Sequence, residues 1–143
     1  MSRIALDTSV LVAAVQSWHS EHDRAVLAVG RALEASAVVV PFHVLFETYS
    51  VLTRMPKPLR LSPANALSLL ERTLRGRSEV ASLDGGDAFG LLGSFRDRGI
   101  AGGAVYDALI VEAAARAGAR TLLTLNRKHF DRLAPEGLEV VEP

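Results

Sequence analysis

Five short runs of strand-forming residues, separated by stretches of helical spacing, are the strongest constraint on how this chain folds. The runs are Ile4–Asp7, Ala37–Val40, Glu79–Leu83, Arg120–Leu125 and Leu138–Val141. Between them, Ser9–Val15 reads as a brief helix that Thr8 or Ser9 can cap. Glu21–Leu33 places Ala25, Val29, Ala32 and Leu33 on one stripe, the signature of an amphipathic helix. Pro41 suits the first turn of a helix that runs to about Arg54. Ser62-Pro63 opens another helix in cap-then-proline order. Asp87–Arg98 and about Val105–Ala117 complete the helical set, with Gly118 as the stop signal of the second. Strands that alternate with helices throughout predict an α/β fold with a parallel sheet covered on both faces.

A chain of 143 residues with no repeat, low-complexity segment or internal boundary is expected to form one domain over residues 1–143. It contains no apolar span of transmembrane length, and its start lacks a basic region followed by an apolar one, so neither a membrane anchor nor a secretion signal is expected. The absence of cysteine excludes disulfides and thiolate metal sites and fits a cytoplasmic protein. The formal net charge is zero, so no global field draws in nucleic acid. Locally, six basic residues face one acid between Arg54 and Arg77, and Arg127-Lys128-His129 with Arg132 forms a second cluster. Each cluster by itself reads as a solvated helix face. Together they leave room for a phosphate-bearing partner.

Three carboxylates stand in unusually apolar surroundings. Asp7 ends the first strand-like run, Glu47 lies within Phe42-His-Val-Leu-Phe-Glu-Thr-Tyr, and Asp107 lies within Ala104-Val-Tyr-Asp-Ala-Leu-Ile-Val. An unpaired buried carboxylate costs several kcal/mol, so compensation of the negative charge is expected. Asp7 and Asn126 both fall at C-terminal ends of predicted parallel strands, the edge where ligands collect in such folds. Asp107 belongs to the first turn of its helix and should face the same edge. Glu47, two turns into its helix, reaches that edge only if the helix tilts across it. Three carboxylates and an amide form an all-oxygen donor set that suits Mg²⁺ or Mn²⁺. Such a cation can acidify an attacking water and neutralise charge on a phosphodiester. Ser9 and Thr124 are hydroxyls placed to orient these ligands.

Other readings stay open on the residues alone. Asp7 is equally an N-cap for the helix that follows it. Asp107 suits the positive end of a helix without any metal. Glu47 caps nothing, and a salt bridge to Arg54 or another base is its structural alternative. His19, His22, His43 and His129 lack metal-ligand spacing as a group and read as structural or surface residues. Trp18 and Tyr106 read as core or interface. Gly102-Gly103 lacks the pattern of a phosphate loop and reads as a tight turn.

Asp7-Thr8-Ser9-Val10-Leu11, Glu47 after Pro41, Tyr106-Asp107-Ala108-Leu109-Ile110 and Thr124-Leu125-Asn126-Arg127-Lys128-His129-Phe130 follow one another as in PIN domains. The chain resembles this family over essentially its whole length, and within it the VapC toxins of bacterial toxin–antitoxin pairs. The resemblance implies a three-layer α/β/α sandwich around a parallel sheet, dependence on Mg²⁺ or Mn²⁺, and endoribonuclease activity. It also implies a homodimer and inhibition by a cognate antitoxin of the VapB type. The family's acidic quartet falls on Asp7, Glu47 and Asp107, with Asn126 where many members carry a fourth Asp. That asparagine removes one negative charge and puts a second metal in doubt. Arg54, Arg127 and Lys128 are the candidate RNA contacts. A haloacid-dehalogenase-like phosphatase also opens with Asp after its first strand, but it needs a second Asp where Ser9 stands. A PIN-like module that binds RNA or a partner without cutting it is the alternative from another class. The retained Glu47 and Asp107 argue against it.

Overall fold

A computed structural model describes residues 2–143. The chain runs β1 (Arg3–Leu6), α1 (Thr8–Val15), α2 (His22–Glu34), β2 (Val38–Pro41), α3 (Phe42–Arg54), α4 (Pro63–Leu74) and β3 (Glu79–Ala81). A 3₁₀ turn (Gly85–Asp87) precedes α5 (Ala88–Arg98), then come α6 (Ala104–Arg116), β4 (Ala119–Leu123), α7 (Arg127–Phe130) and β5 (Glu139–Val141). All four strand pairings are parallel, in the order β3-β2-β1-β4-β5. β1 is central because Ala5 and Leu6 are wholly buried and bracketed by the equally apolar Val38–Val40 and Leu122–Leu123.

This strand order positions the site. The connections from β1 through β2 to β3 run sideways in one direction, and those from β3 to β4 and β5 run in the other. Right-handed crossovers therefore put the two sets of helices on opposite faces, giving the expected α/β/α sandwich. The direction changes between β1 and β4, which opens a crevice at their C-terminal ends. Asp7 stands at one lip of that crevice and Thr124 at the other. The sheet's hydrogen bonding continues into both, through Asp7 N–H to the Leu123 carbonyl and Thr124 N–H to the Val141 carbonyl, each at 3.0 Å. No helix among the described residues is long and apolar enough to cross a membrane.

Several local expectations need correction. Pro41 closes β2, paired with Ala81, and occupies the cap position of α3 rather than its first turn. An extended backbone (φ −56°, ψ 137°) suits proline there as well as a helical one would. Of the caps the sequence offers for α1, Asp7 is the one used and Thr8 and Ser9 are not, because Thr8 N–H donates to Asp7 Oδ1 at 2.6 Å. Ser62 does cap α4, accepting from Asn65 N–H at 3.1 Å, and Pro63 takes the first helical position. The last two strands begin at Ala119 and Glu139, one residue away from the expected starts. The short helix α7 was not expected; it packs Phe130, 1% exposed, into the core. Gly118, in the left-handed region at φ 80°, follows α6 as the helix stop.

Candidate metal centre

Asp7 follows β1 in an extended conformation and is only 4% exposed. Its side chain accepts three hydrogen bonds. Oδ1 takes the Thr8 N–H, and Oδ2 takes the hydroxyls of Ser9 at 2.7 Å and Thr124 at 2.8 Å. Those hydroxyls are themselves held, because Ser9 Oγ accepts from Leu125 N–H and Thr124 Oγ1 from Asn126 N–H, both at 2.9 Å. Each hydroxyl has a single proton, and each gives it to Asp7. The 3.4 Å approach of Ser9 Oγ to Thr124 Oγ1 is therefore a contact without a proton of its own. The turn after β4 and the start of α1 are thus locked together through one carboxylate, whose direction is set by two backbone segments.

Asp107 arrives from the first turn of α6, with 29% of its side chain exposed. Burial first, and then the nearby Asp7 carboxylate, raise its pKa above the ordinary 3.8; His129 opposes this, Glu47 adds to it, and His43 opposes it. His129 Nδ1 stands 4.0 Å from Asp107 Oδ2. Glu47 comes from α3, and His43 one turn earlier donates from Nε2 to Glu47 Oε2 at 2.8 Å. The partner of Glu47 is therefore His43, not Arg54. Its side chain is 41% exposed, so the apolar neighbours of Glu47 in sequence do not bury it. They occupy other faces of the same helix.

These groups line one cavity of about 560 Å³ at the crevice between β1 and β4. Asp7, Ser9, Glu47, Asp107 and Asn126 all contribute to its wall, with Thr124 buried beneath. The wall also includes Glu21, His19 and His129, which sequence reasoning did not assign to the site. Among the described residues, four carboxylates and no lysine or arginine line this space. The buried Thr8 hydroxyl, also on the wall, has no hydrogen-bond partner within the chain. An oxygen-rich, anionic pocket without an internal cation fits a hard divalent ion. Among the described residues, no three His, Asp or Glu side chains stand together closely enough to hold an ion by themselves. An ion here would keep part of its water shell, as Mg²⁺ characteristically does.

The candidate RNA contacts lie outside the cavity wall. Arg54 ends α3, on the stripe of Glu47 but two turns, about 10 Å, further along. Arg127 and Lys128 open α7 directly after Asn126 and are exposed; Arg127 pairs with Asp131 at 3.4 Å. Trp18 and Tyr106, read from sequence as core or interface, are 43% and 55% exposed. Elsewhere, Phe46, Leu67 and Val80 are exposed around an apolar groove of about 740 Å³ formed by α3, α4 and β3.

The family model of the PIN domain matches residues 4–135. Ribonuclease VapC40 of Mycobacterium tuberculosis is 40% identical over 119 residues, covering 83% of this chain and 84% of that protein. Ribonuclease VapC27 of the same organism is 38% identical over 138 residues, 96% of this chain and 95% of the relative. The DNA-bound VapBC complex of Salmonella typhimurium contains a chain of the same fold, with a TM-score of 0.68 at 20% identity and 99% and 98% coverage. This chain belongs to the PIN-domain family.

Proposed function

We propose that this protein is a Mg²⁺- or Mn²⁺-dependent endoribonuclease acting in the cytoplasm, the toxin of a toxin–antitoxin pair, with residues 1–143 as its single domain. The observation that carries this reading is the cavity at the sheet's switch point, lined by four carboxylates without a lysine or arginine among them. The family and the ribonuclease names of its relatives support the substrate class.

Asp7, Glu47 and Asp107 would hold the cation, with Asn126 in the fourth position. When bound, the cation supplies charge neutralisation at the scissile phosphate and acidifies the water that attacks it. The chain's own residues do the rest. Ser9 and Thr124 fix the direction of Asp7, a residue of the cavity wall, so that the carboxylate needs little reorganisation to take a ligand. His43 holds Glu47, and His129 offsets part of the charge on Asp107. Without a cation these carboxylates repel a phosphodiester, so RNA enters productively only with the metal. Arg54, Arg127 and Lys128, outside the wall, would hold flanking phosphates. Water attacks in line, the 3′-oxygen leaves, and the products carry a 5′-phosphate and a 3′-hydroxyl.

The solved VapBC complex supports a VapB-type antitoxin as partner. The exposed apolar groove of α3, α4 and β3 supports a homodimer, which sedimentation at micromolar concentration tests; a monomer there would refute it. For the reaction, the test is cleavage of single-stranded and structured RNA with Mg²⁺ or EDTA, with end-group analysis of the products. Cleavage should require the metal and vanish in Asp7→Ala and Asp107→Ala, and both variants should relieve growth arrest. Cleavage in EDTA, or products ending in a 2′,3′-cyclic phosphate, would overturn the mechanism. Binding of RNA without cleavage under any divalent ion would favour the non-catalytic module.

A further inference from the structure

One aromatic arrangement beside the acidic cavity carries an exposed ring that neither the core nor the carboxylate cluster uses. Tyr106 immediately precedes Asp107 in the first turn of α6, and more than half of it is exposed. The imidazole of His43, from α3, lies nearly parallel to its ring, with 11° between the planes and 5.2 Å between the centroids. His43 is held in turn by its hydrogen bond to Glu47. The phenol ring is thus propped on one side by a group that is itself anchored to the site.

An offset stack of this kind fixes the ring's orientation and leaves π surface open to solvent. Every nucleobase has a π face, and stacking on an exposed aromatic ring is how proteins hold unpaired bases with little sequence preference. A ring already fixed in place loses little freedom when a base lands on it. The His43 link sets the reach. Its ring stacks on Tyr106 and bonds Glu47, which lines the cavity, so a base on Tyr106 would belong to a nucleotide beside the phosphate held at the carboxylates. Removing the ring of a residue that only covers the α3–α6 seam would change stability but not the value of a base.

We propose that Tyr106, propped by His43, is a stacking platform for the nucleobase flanking the cleaved phosphate. Tyr106 makes the contact, and His43 is a positioning residue. The proposal rests on the ribonuclease reading of the cavity. It requires that the flanking base be unstacked, which directs the enzyme to loops and single strands rather than duplex.

The test compares two fluorescein-labelled probes, an oligouridylate and a base-free ribose-phosphate chain of the same length. Anisotropy is read in Ca²⁺, an oxygen-seeking divalent ion that offsets the cavity's negative charge. The wild type should prefer the oligouridylate by about tenfold. Tyr106→Leu, an exposed substitution that leaves the fold intact, should remove most of that preference, and Tyr106→Phe should keep it. In Mg²⁺ the loss in Tyr106→Leu should fall on KM more than on kcat. Unchanged base preference in Tyr106→Leu, in a protein whose wild type cleaves RNA, would overturn the platform alone. Loss of preference in Tyr106→Phe as complete as in the Leu variant would also overturn it, because the hydroxyl rather than the ring would be responsible. A wild type that neither binds the probes nor cleaves RNA in Mg²⁺ would overturn the ribonuclease reading, and the platform with it.

Discussion

Substituting Asp7 tests the site's architecture separately from its chemistry, because the carboxylate holds three donors as well as a charge. In Asp7→Ala the Thr8 N–H loses its cap, a loss of about 1 kcal/mol. The hydroxyls of Ser9 and Thr124 lose their acceptor, and with water entering from the cavity each loss is about 1 kcal/mol. Relief of the repulsion with Asp107 returns part of this. The net cost is about 2–3 kcal/mol, well below the total stability of an ordinary domain. With about 2.1 cal/mol/K of unfolding entropy per residue, a chain of this length loses roughly 3 °C per kcal/mol, so Tm should fall by about 6–10 °C. Asp7→Asn keeps the cap, and one of the two displaced hydroxyl protons can bridge the 3.4 Å between Ser9 and Thr124. Its loss should be about half as large. Thermal unfolding followed by circular dichroism in EDTA at neutral pH measures both, with cleavage assayed in parallel and expected to be absent in both. An Asp7→Ala protein as stable as the wild type, or more so, would show that the hydrogen-bonded network contributes nothing and that repulsion dominates the site.

Asp107 should behave in the opposite way. Its folded-state carboxyl group titrates above the ordinary value of 3.8, so ionisation opposes folding at neutral pH, and that penalty disappears as pH falls through the folded value. In EDTA, Asp107→Asn should melt above the wild type at pH 7, with the gap closing in acid; a gap that widens in acid would refute the shift. Asn126→Asp restores a fourth carboxylate and should lower Tm without metal while tightening Mn²⁺ binding, as measured by calorimetry. An unchanged titration would show that Asn126 is not a ligand position. Replacing Arg54, Arg127 or Lys128 with Ala should weaken RNA binding and flatten its salt dependence by about one charge each, leaving metal binding intact. A changed metal affinity in these variants would place them in the cavity.

The sheet was legible because each strand needed only a run of three to five residues with apolar members, and the alternation with helices left few ways to connect them. Strand ends were less legible, since Pro41 carries signals for both a helix start and a strand end and only the pairing with Ala81 decides between them. Asp7 was readable as a candidate site residue from its place after a buried strand, and the same position also made it the helix cap. The structure shows that it serves the cap and faces the cavity together. Glu47 was singled out through an argument from burial that does not hold for it. An apolar sequence neighbourhood on a helix leaves one face free, and Glu47 uses that face. The histidines were set aside because ligand spacing along the chain is a local signal. His129 and Asp107 are 22 positions apart in sequence and meet only because α6 and α7 flank the same crevice. The His43–Glu47 pair could have been found from its i, i+4 spacing in a helix that was already expected.

The most direct measurement is an anomalous-difference map from crystals soaked in Mn²⁺. The account predicts a peak inside the cavity, reached by Asp7, Glu47 and Asp107 directly or through one water, and absent in Asp7→Ala. An ordered Mn²⁺ bound elsewhere, with these three carboxylates dispersed around an empty cavity at saturating metal, would contradict it.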